Sequence, residues 1–163
     1  MELISLRSKA ESLQKEHKKV LQKLRTKKDQ EIDRLFHAQH ELAFRSIDCL
    51  DCANCCKTTG PLITDKDVVR IARHLKLSPQ RFIEQYLRID EDEDDDYVLQ
   101  SVPCPFLDAD NFCSIYSVRP KACREYPHTD RVKQKQLFKL ALKNAEICPA
   151  VFNILEELKK GMK

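Results

Sequence analysis

Glycine is almost missing from this chain: Gly60 and Gly161 are the two among 163 residues. A dinucleotide loop or a P-loop needs several glycines to bring backbone close to phosphate, so nucleotide chemistry by those routes is excluded. Long apolar runs are missing too, which excludes a transmembrane helix. Residues 1 to 20 hold Glu2, Arg7, Lys9, Glu11, Lys15, Glu16, Lys18 and Lys19 with no apolar stretch, so the chain shows no export signal. The expected location is the cytoplasm, where thiols stay reduced and available to metals.

What the chain does hold is cysteine. Cys49, Cys52, Cys55 and Cys56 are compressed into eight residues, and Cys104, Cys113, Cys123 and Cys148 follow. Four thiolates complete one tetrahedral zinc site or one iron-sulfur cluster, so eight cysteines allow two metal centres. A disulfide framework, a redox C-x2-C pair and buried free thiols are the competing readings. The missing export signal weakens the first. Cysteines at i, i+3 and i+6 with a fourth adjoining the third are not a core pattern. Adjacent side chains at Cys55 and Cys56 point in different directions and are more easily shared between two centres than crowded onto one. The partition of the eight stays open. The formal charge of +3 becomes −1 once eight thiolates and two centres of charge +2 are counted, so a loaded protein is not basic.

The pattern around the cysteines predicts a fold that is mainly α with a small β-hairpin. It reads as a metal-stabilised single domain, residues 47–163, with an N-terminal helical segment, residues 1–46. Leu3, Leu6, Ala10, Leu13, His17, Val20 and Leu24 make a helical stripe that continues through Ile32, Leu35, Phe36, Leu42 and Phe44, interrupted near Thr26 to Asp29 by four polar residues that are either a turn or a solvated stretch of one long helix. The stripe serves either as a seam for a protein partner or as a face folding back on the domain. His17, His37 and His40 read as ordinary helix residues.

Thr64 and Asp67 predict a capped helix over Asp65 to Leu77, and Ser78-Pro79 starts a second with Phe82, Ile83, Tyr86 and Leu87 inward. This pair has the outline of a helix-turn-helix. However, Pro79 to Asp96 offers Arg81 and Arg88 against eight acidic residues, which phosphates would repel, so nucleic acid is not an expected partner. The acidic run reads as a solvated loop. Tyr97 to Val102 predicts a strand, and Cys104 to Tyr116 a short hairpin turning at Asp108 to Asn111. Pro120 starts a short helix holding Cys123. Pro149 starts the last, with Cys148 at its N-terminus and Val151, Ile154, Leu155 and Leu158 inward.

Cys49-Leu-Asp-Cys52-Ala-Asn-Cys55-Cys56 and the later Cys104-Pro-Phe-Leu-Asp with Cys113-Ser-Ile-Tyr-Ser-Val-Arg-Pro-Lys-Ala-Cys123-Arg-Glu-Tyr-Pro127 together resemble the YkgJ-type cysteine-cluster family. That family is named for its C-x2-C-x2-C-C motif and is held to chelate zinc or iron. The resemblance covers about Asp48 to Pro149. It implies that all eight cysteines are metal ligands, with no settled reaction. One departure is Asn111-Phe112, where the family's turn has a glycine.

A four-thiolate centre of charge +2 keeps a net −2 that needs compensation, and Arg119 and Arg124 are the candidates to donate to its sulfurs. All-cysteine ligation serves zinc and iron alike. The C-x2-C-x2-C step and the remote Cys148-Pro149 lean toward an iron-sulfur cluster, as does a similar cysteine motif in flagellin lysine methylases. The expected function is metal chelation in electron transfer or redox sensing. A structural zinc adaptor and a redox or protein-modifying enzyme are the alternatives, and no catalytic residue is assigned.

Overall fold

A computed structural model describes residues 3–90 and 97–162, so most of the acidic run lies outside the described residues. In chain order the elements are α1 (Leu3–Leu24), α2 (Asp29–Phe44), α3 (Cys49–Cys52), α4 (Asn54–Thr58), β1 (Leu62–Ile63), α5 (Asp65–His74), α6 (Pro79–Tyr86), β2 (Leu87–Ile89), β3 (Tyr97–Leu99), α7 (Lys121–Glu125), α8 (Phe138–Ala145) and α9 (Pro149–Lys160). The mainly α content with a small antiparallel sheet is as expected. None of the described helices is long and apolar enough to cross a membrane. The chain divides into two compact units: Met1–Cys49 with Pro127–Lys163, and Leu50–Tyr126.

In the helical unit the predicted stripe becomes a core. Leu6, Ala10, Val20, Leu21 and Leu24 of α1 are buried with Ile32 and Phe36 of α2, and α8 and α9 complete the packing. Phe36 stacks on Phe138 with ring centres 5.9 Å apart. The chain breaks between helices at residues 25–28, so of the two readings of the polar run the turn is the one observed. Leu42 departs from the predicted face and is 53% exposed. It lies six residues past Phe36, which turns it well off the side that carries Ile32 and Phe36 at 3.6 residues per turn.

His17 occupies the seam itself, 1% exposed, edge-on to Phe152, with Nε2 2.7 Å from Glu156 Oε1. Burial works against ionisation of Glu156, but contacts with Lys159 and His17 outweigh it and hold the carboxyl below the usual range. A depressed carboxyl contributes stability above its unfolded pKa of about 4.3 and loses it as pH falls through the folded value. Glu156→Gln should therefore be less stable than the parent at neutral pH and lose less on acidification from about pH 5 to pH 3. Thermal unfolding followed by circular dichroism would show it. Equal losses in the two proteins would remove Glu156 from the account.

The segment before α8 is held by polar contacts that hydrophobic periodicity does not reveal. Asp33 accepts the backbone N–H groups of Lys133 and Gln134, both at 2.9 Å. Buried Gln134 donates to the carbonyls of His128 and Arg131, and His40 meets Thr129 at 2.7 Å.

In the second unit, Thr64 and Asp67 form the predicted capping box on α5. The helix ends three residues before Leu77. Lys76 turns left-handed at φ 57°, and the Leu77 N–H bonds the Ala72 carbonyl at 2.9 Å, closing a Schellman stop. Ser78 caps α6 and Pro79 opens it. The predicted hairpin is redrawn. The strand from Tyr97 stops at Leu99 and lies at the centre of a β1-β3-β2 sheet, pairing Leu62 with Val98 and Leu87 with Leu99. The Cys104 to Cys113 segment closes through a single Leu107–Cys113 bridge. Pro103 and Pro105 have no N–H to give a ladder, so the chain on either side of Cys104 is poorly suited to strand pairing. Ile63, Val68, Ile71, Phe82, Leu99, Phe106 and Ile115 form this unit's own core.

Candidate metal centre

The first cysteine motif folds as two short helices, α3 and α4, that meet at Ala53. Ala53 is buried and left-handed at φ 45°. That conformation costs an alanine roughly 1–2 kcal/mol, and it lets the chain reverse between Cys52 and Cys55. Cys49 is exposed, while Cys52, Cys55 and Cys56 are half-buried. The Cys55 and Cys56 sulfurs lie 4.0 Å apart.

The second signature is tied to the first through backbone. The Cys104 N–H bonds the Cys56 carbonyl at 2.7 Å. Beyond Cys104, Phe106 packs against Phe82 and Tyr86 and anchors the loop to the core. Asp108 then accepts the N–H groups of Asp110 and Phe112, confirming it as a turn former. Asn111, at the position where a glycine is expected, takes the left-handed conformation at φ 64°. Asparagine tolerates that region, and its Nδ2 donates to the Leu50 carbonyl at 2.7 Å, a tie glycine lacks. After buried Ile115 a single turn leads through Arg119 and Pro120 into α7, which carries Cys123.

Four sulfurs share one electrostatic neighbourhood. Cys123 feels Cys56, Cys104 and Cys113, and both Cys104 and Cys113 feel Cys56. Burial, reinforced by these neighbouring sulfurs, pushes Cys104 and Cys113 upward and Cys123 up to about 12. Cys56 moves the other way, to about 7, chiefly through its contact with Cys55, with Lys57 and Arg119 adding positive charge. Burial thus disfavours ionisation of Cys104, Cys113 and Cys123, while Cys56 ionises more easily than an ordinary thiol.

Arg119 is the cation shared by three of the four, lowering Cys56, Cys113 and Cys123. Its guanidinium lies 3.8 Å over the Tyr116 ring, and its Nε is buried without a hydrogen-bond partner. An unmatched buried donor beside thiols suits a centre whose sulfurs become anionic. Arg124 instead donates to the Arg119 carbonyl at 2.8 Å. Cys148 caps α9 in the helical unit, where its N–H bonds the Asn144 carbonyl at 2.7 Å, and Cys49 belongs to that unit as well. Among the described residues, no three His, Cys, Asp or Glu side chains already stand at ligating distance. Thiolate chemistry and the unmatched Arg119 donor fit zinc or iron.

Two residues that periodicity and spacing did not single out for this site are Asp67 and Arg70, which close on the segment leading to Cys123. The capping pattern pointed to Asp67 only as part of a helix start.

No solved structure matches the chain. A curated protein of Methanocaldococcus jannaschii, named "Uncharacterized protein MJ0661", is 32% identical over 90 residues, 55% of this chain and 48% of that protein. The chain thus spans about half the length of this relative. A family model, CxxCxxCC, described as "Putative zinc- or iron-chelating domain", matches residues 48–149. Both cysteine signatures and the remote Cys148 lie inside that match, which takes in more than half of the chain, and the protein therefore belongs to the CxxCxxCC family.

Proposed function

We propose that the protein chelates zinc or iron through cysteine thiolates, with Cys56, Cys104, Cys113 and Cys123 as one four-sulfur centre and Arg119 as its charge partner. The observation that carries this reading is the backbone tie of Cys104 to Cys56 at 2.7 Å, which brings the two cysteine signatures together, beside a buried Arg119 Nε that lacks an acceptor. Ligation requires the side chains to rotate inward from where they now stand. Once bound, a metal would cross-link the Cys56, Cys104–Cys113 and Cys123 segments, which the short elements of this unit hold only loosely by backbone pairing.

Cys49, Cys52, Cys55 and Cys148 complete the proposed ligand set on the strength of their spacing and of the family. The C-x2-C-x2-C step favours an iron-sulfur cluster, and with it electron transfer or redox sensing in the cytoplasm. Arg124 acts in this reading by fixing the Arg119 backbone. The α1 seam is occupied by α8 and α9, so a protein partner of the N-terminal helices would meet their outer faces.

The visible spectrum and elemental content of protein purified without air test the proposal. A brown protein with matched iron and acid-labile sulfide supports the cluster. A colourless protein with about two zinc ions supports two closed structural sites. Protein that carries neither metal, and takes up neither when it is titrated in after reduction, sinks the chelation reading.

A further inference from the structure

We infer that Asp67 and Arg70 are positioning residues for the metal centre, aiming Cys123 and Arg119 at it through the backbone between them. This rests on the four-sulfur centre proposed above. The α7 helix has five residues and a Pro120 N-cap that gives no side-chain hydrogen bond. A helix that short does not hold itself together, so something outside it must set its direction.

Asp67 does so. The side chain is 1% exposed, and every acceptor position faces a donor. Its Oδ2 takes the N–H of Thr64 at 3.1 Å and the Thr64 hydroxyl at 2.7 Å. Its Oδ1 is ion-paired with Arg70 Nη2 and takes the Lys121 N–H, the first of α7, at 3.1 Å. Asp67 therefore caps α5 by sequence and α7 through space, placing a carboxylate at the N-terminus of each.

Arg70 grips the chain just upstream. Its Nη2 donates to the Arg119 carbonyl at 3.0 Å and its Nε to the Val118 carbonyl at 3.3 Å. Pro120 has no N–H, so the pair engages the Val118 and Arg119 carbonyls and the next available N–H, that of Lys121. Arg119 departs from this stretch toward the thiols, and Cys123 follows two residues later. A capping box needs only Thr64 and Asp67. The two long-range grips are what a merely local role leaves unexplained.

The test uses the full-length protein loaded with zinc and, separately, with cobalt as a spectroscopic substitute. Zinc affinity is measured by competition with a chelator well below the unfolding temperature. Arg70→Gln and Asp67→Asn are expected to weaken zinc at least tenfold and to alter the cobalt–thiolate absorption. Thr64→Ala, which removes the capping hydroxyl but leaves the grip on residues 118–121, should lower the melting temperature while keeping zinc affinity within about twofold and the cobalt spectrum unchanged. Should Asp67→Asn not fold, Arg70→Gln carries the test, because that side chain is a third exposed.

Parent-like affinity and spectrum in Arg70→Gln would overturn the inference, as would an equal loss of affinity in Thr64→Ala. A different result would sink the metal centre itself: a parent protein that binds neither ion, or a Cys123→Ser variant that binds as the parent does.

Discussion

Cys123→Ser is expected to abolish metal retention at the four-sulfur centre and to unfold the Leu50–Tyr126 unit. A serine hydroxyl does not ionise in the accessible range, so the fourth bond is lost and the ion is left open to solvent. Structural zinc in small domains has an apparent binding energy of about 10–16 kcal/mol at neutral pH. That matches or exceeds the whole folding free energy of an ordinary domain, about 5–15 kcal/mol. Loss of one ligand is therefore enough to decide whether such a unit folds. Metal content after desalting and near-ultraviolet circular dichroism report the two effects. Cys52→Ser asks the same of the first motif, where spacing and the family assign the ligand. A Cys123→Ser protein with the parent's metal content and melting temperature would strike Cys123 from the ligand set.

The second large effect lies in the core beneath the cysteines. Phe82 is fully buried, with ring centres 5.4 Å from Tyr86 and 6.5 Å from Phe106. Phe106 sits two residues after Cys104, so the Phe82 ring is part of the floor on which the Cys104 loop rests. Phe82→Ala should cost about 3–5 kcal/mol, combining lost apolar burial with the cavity left between stiff neighbours. Denaturant unfolding of the reduced protein, compared with the metal-loaded form, would show the loss in both. A change below about 1 kcal/mol would mean that the loop collapses into the space and that Phe106 does not depend on Phe82.

Much of this was legible one element at a time. The α1 stripe reads directly as a buried face because hydrophobic period and helical pitch agree. Thr64 and Ser78 announce their helices because a cap is a local signal. What stayed hidden was long-range. Nothing local in Leu62–Ile63 or Leu87–Ile89 says that each will flank Tyr97–Leu99, since strands this short carry almost no alternation. The Asp33 and Gln134 contacts, and the second role of Asp67, join residues that are far apart in sequence. The same holds for the cysteines. Spacing groups Cys56 with Cys49, Cys52 and Cys55, and its sulfur does lie beside that of Cys55, but spacing gives no sign that the Cys56 carbonyl will take the Cys104 N–H.

The helical unit draws on both ends of the chain, while the unit carrying Cys56, Cys104, Cys113 and Cys123 is one uninterrupted stretch. On the ribosome the two cannot mature together. All of residues 50–126 have been synthesised before α8 and α9, so this stretch is complete while α1 and α2 still wait for the helices that cover them. At synthesis rates of about 5–20 residues per second the wait lasts seconds. During that interval the apolar seam of α1 is open to chaperones. Translation that stops after Tyr126 would release a fragment that has the whole of the second unit but lacks α8 and α9, which cover α1 and α2.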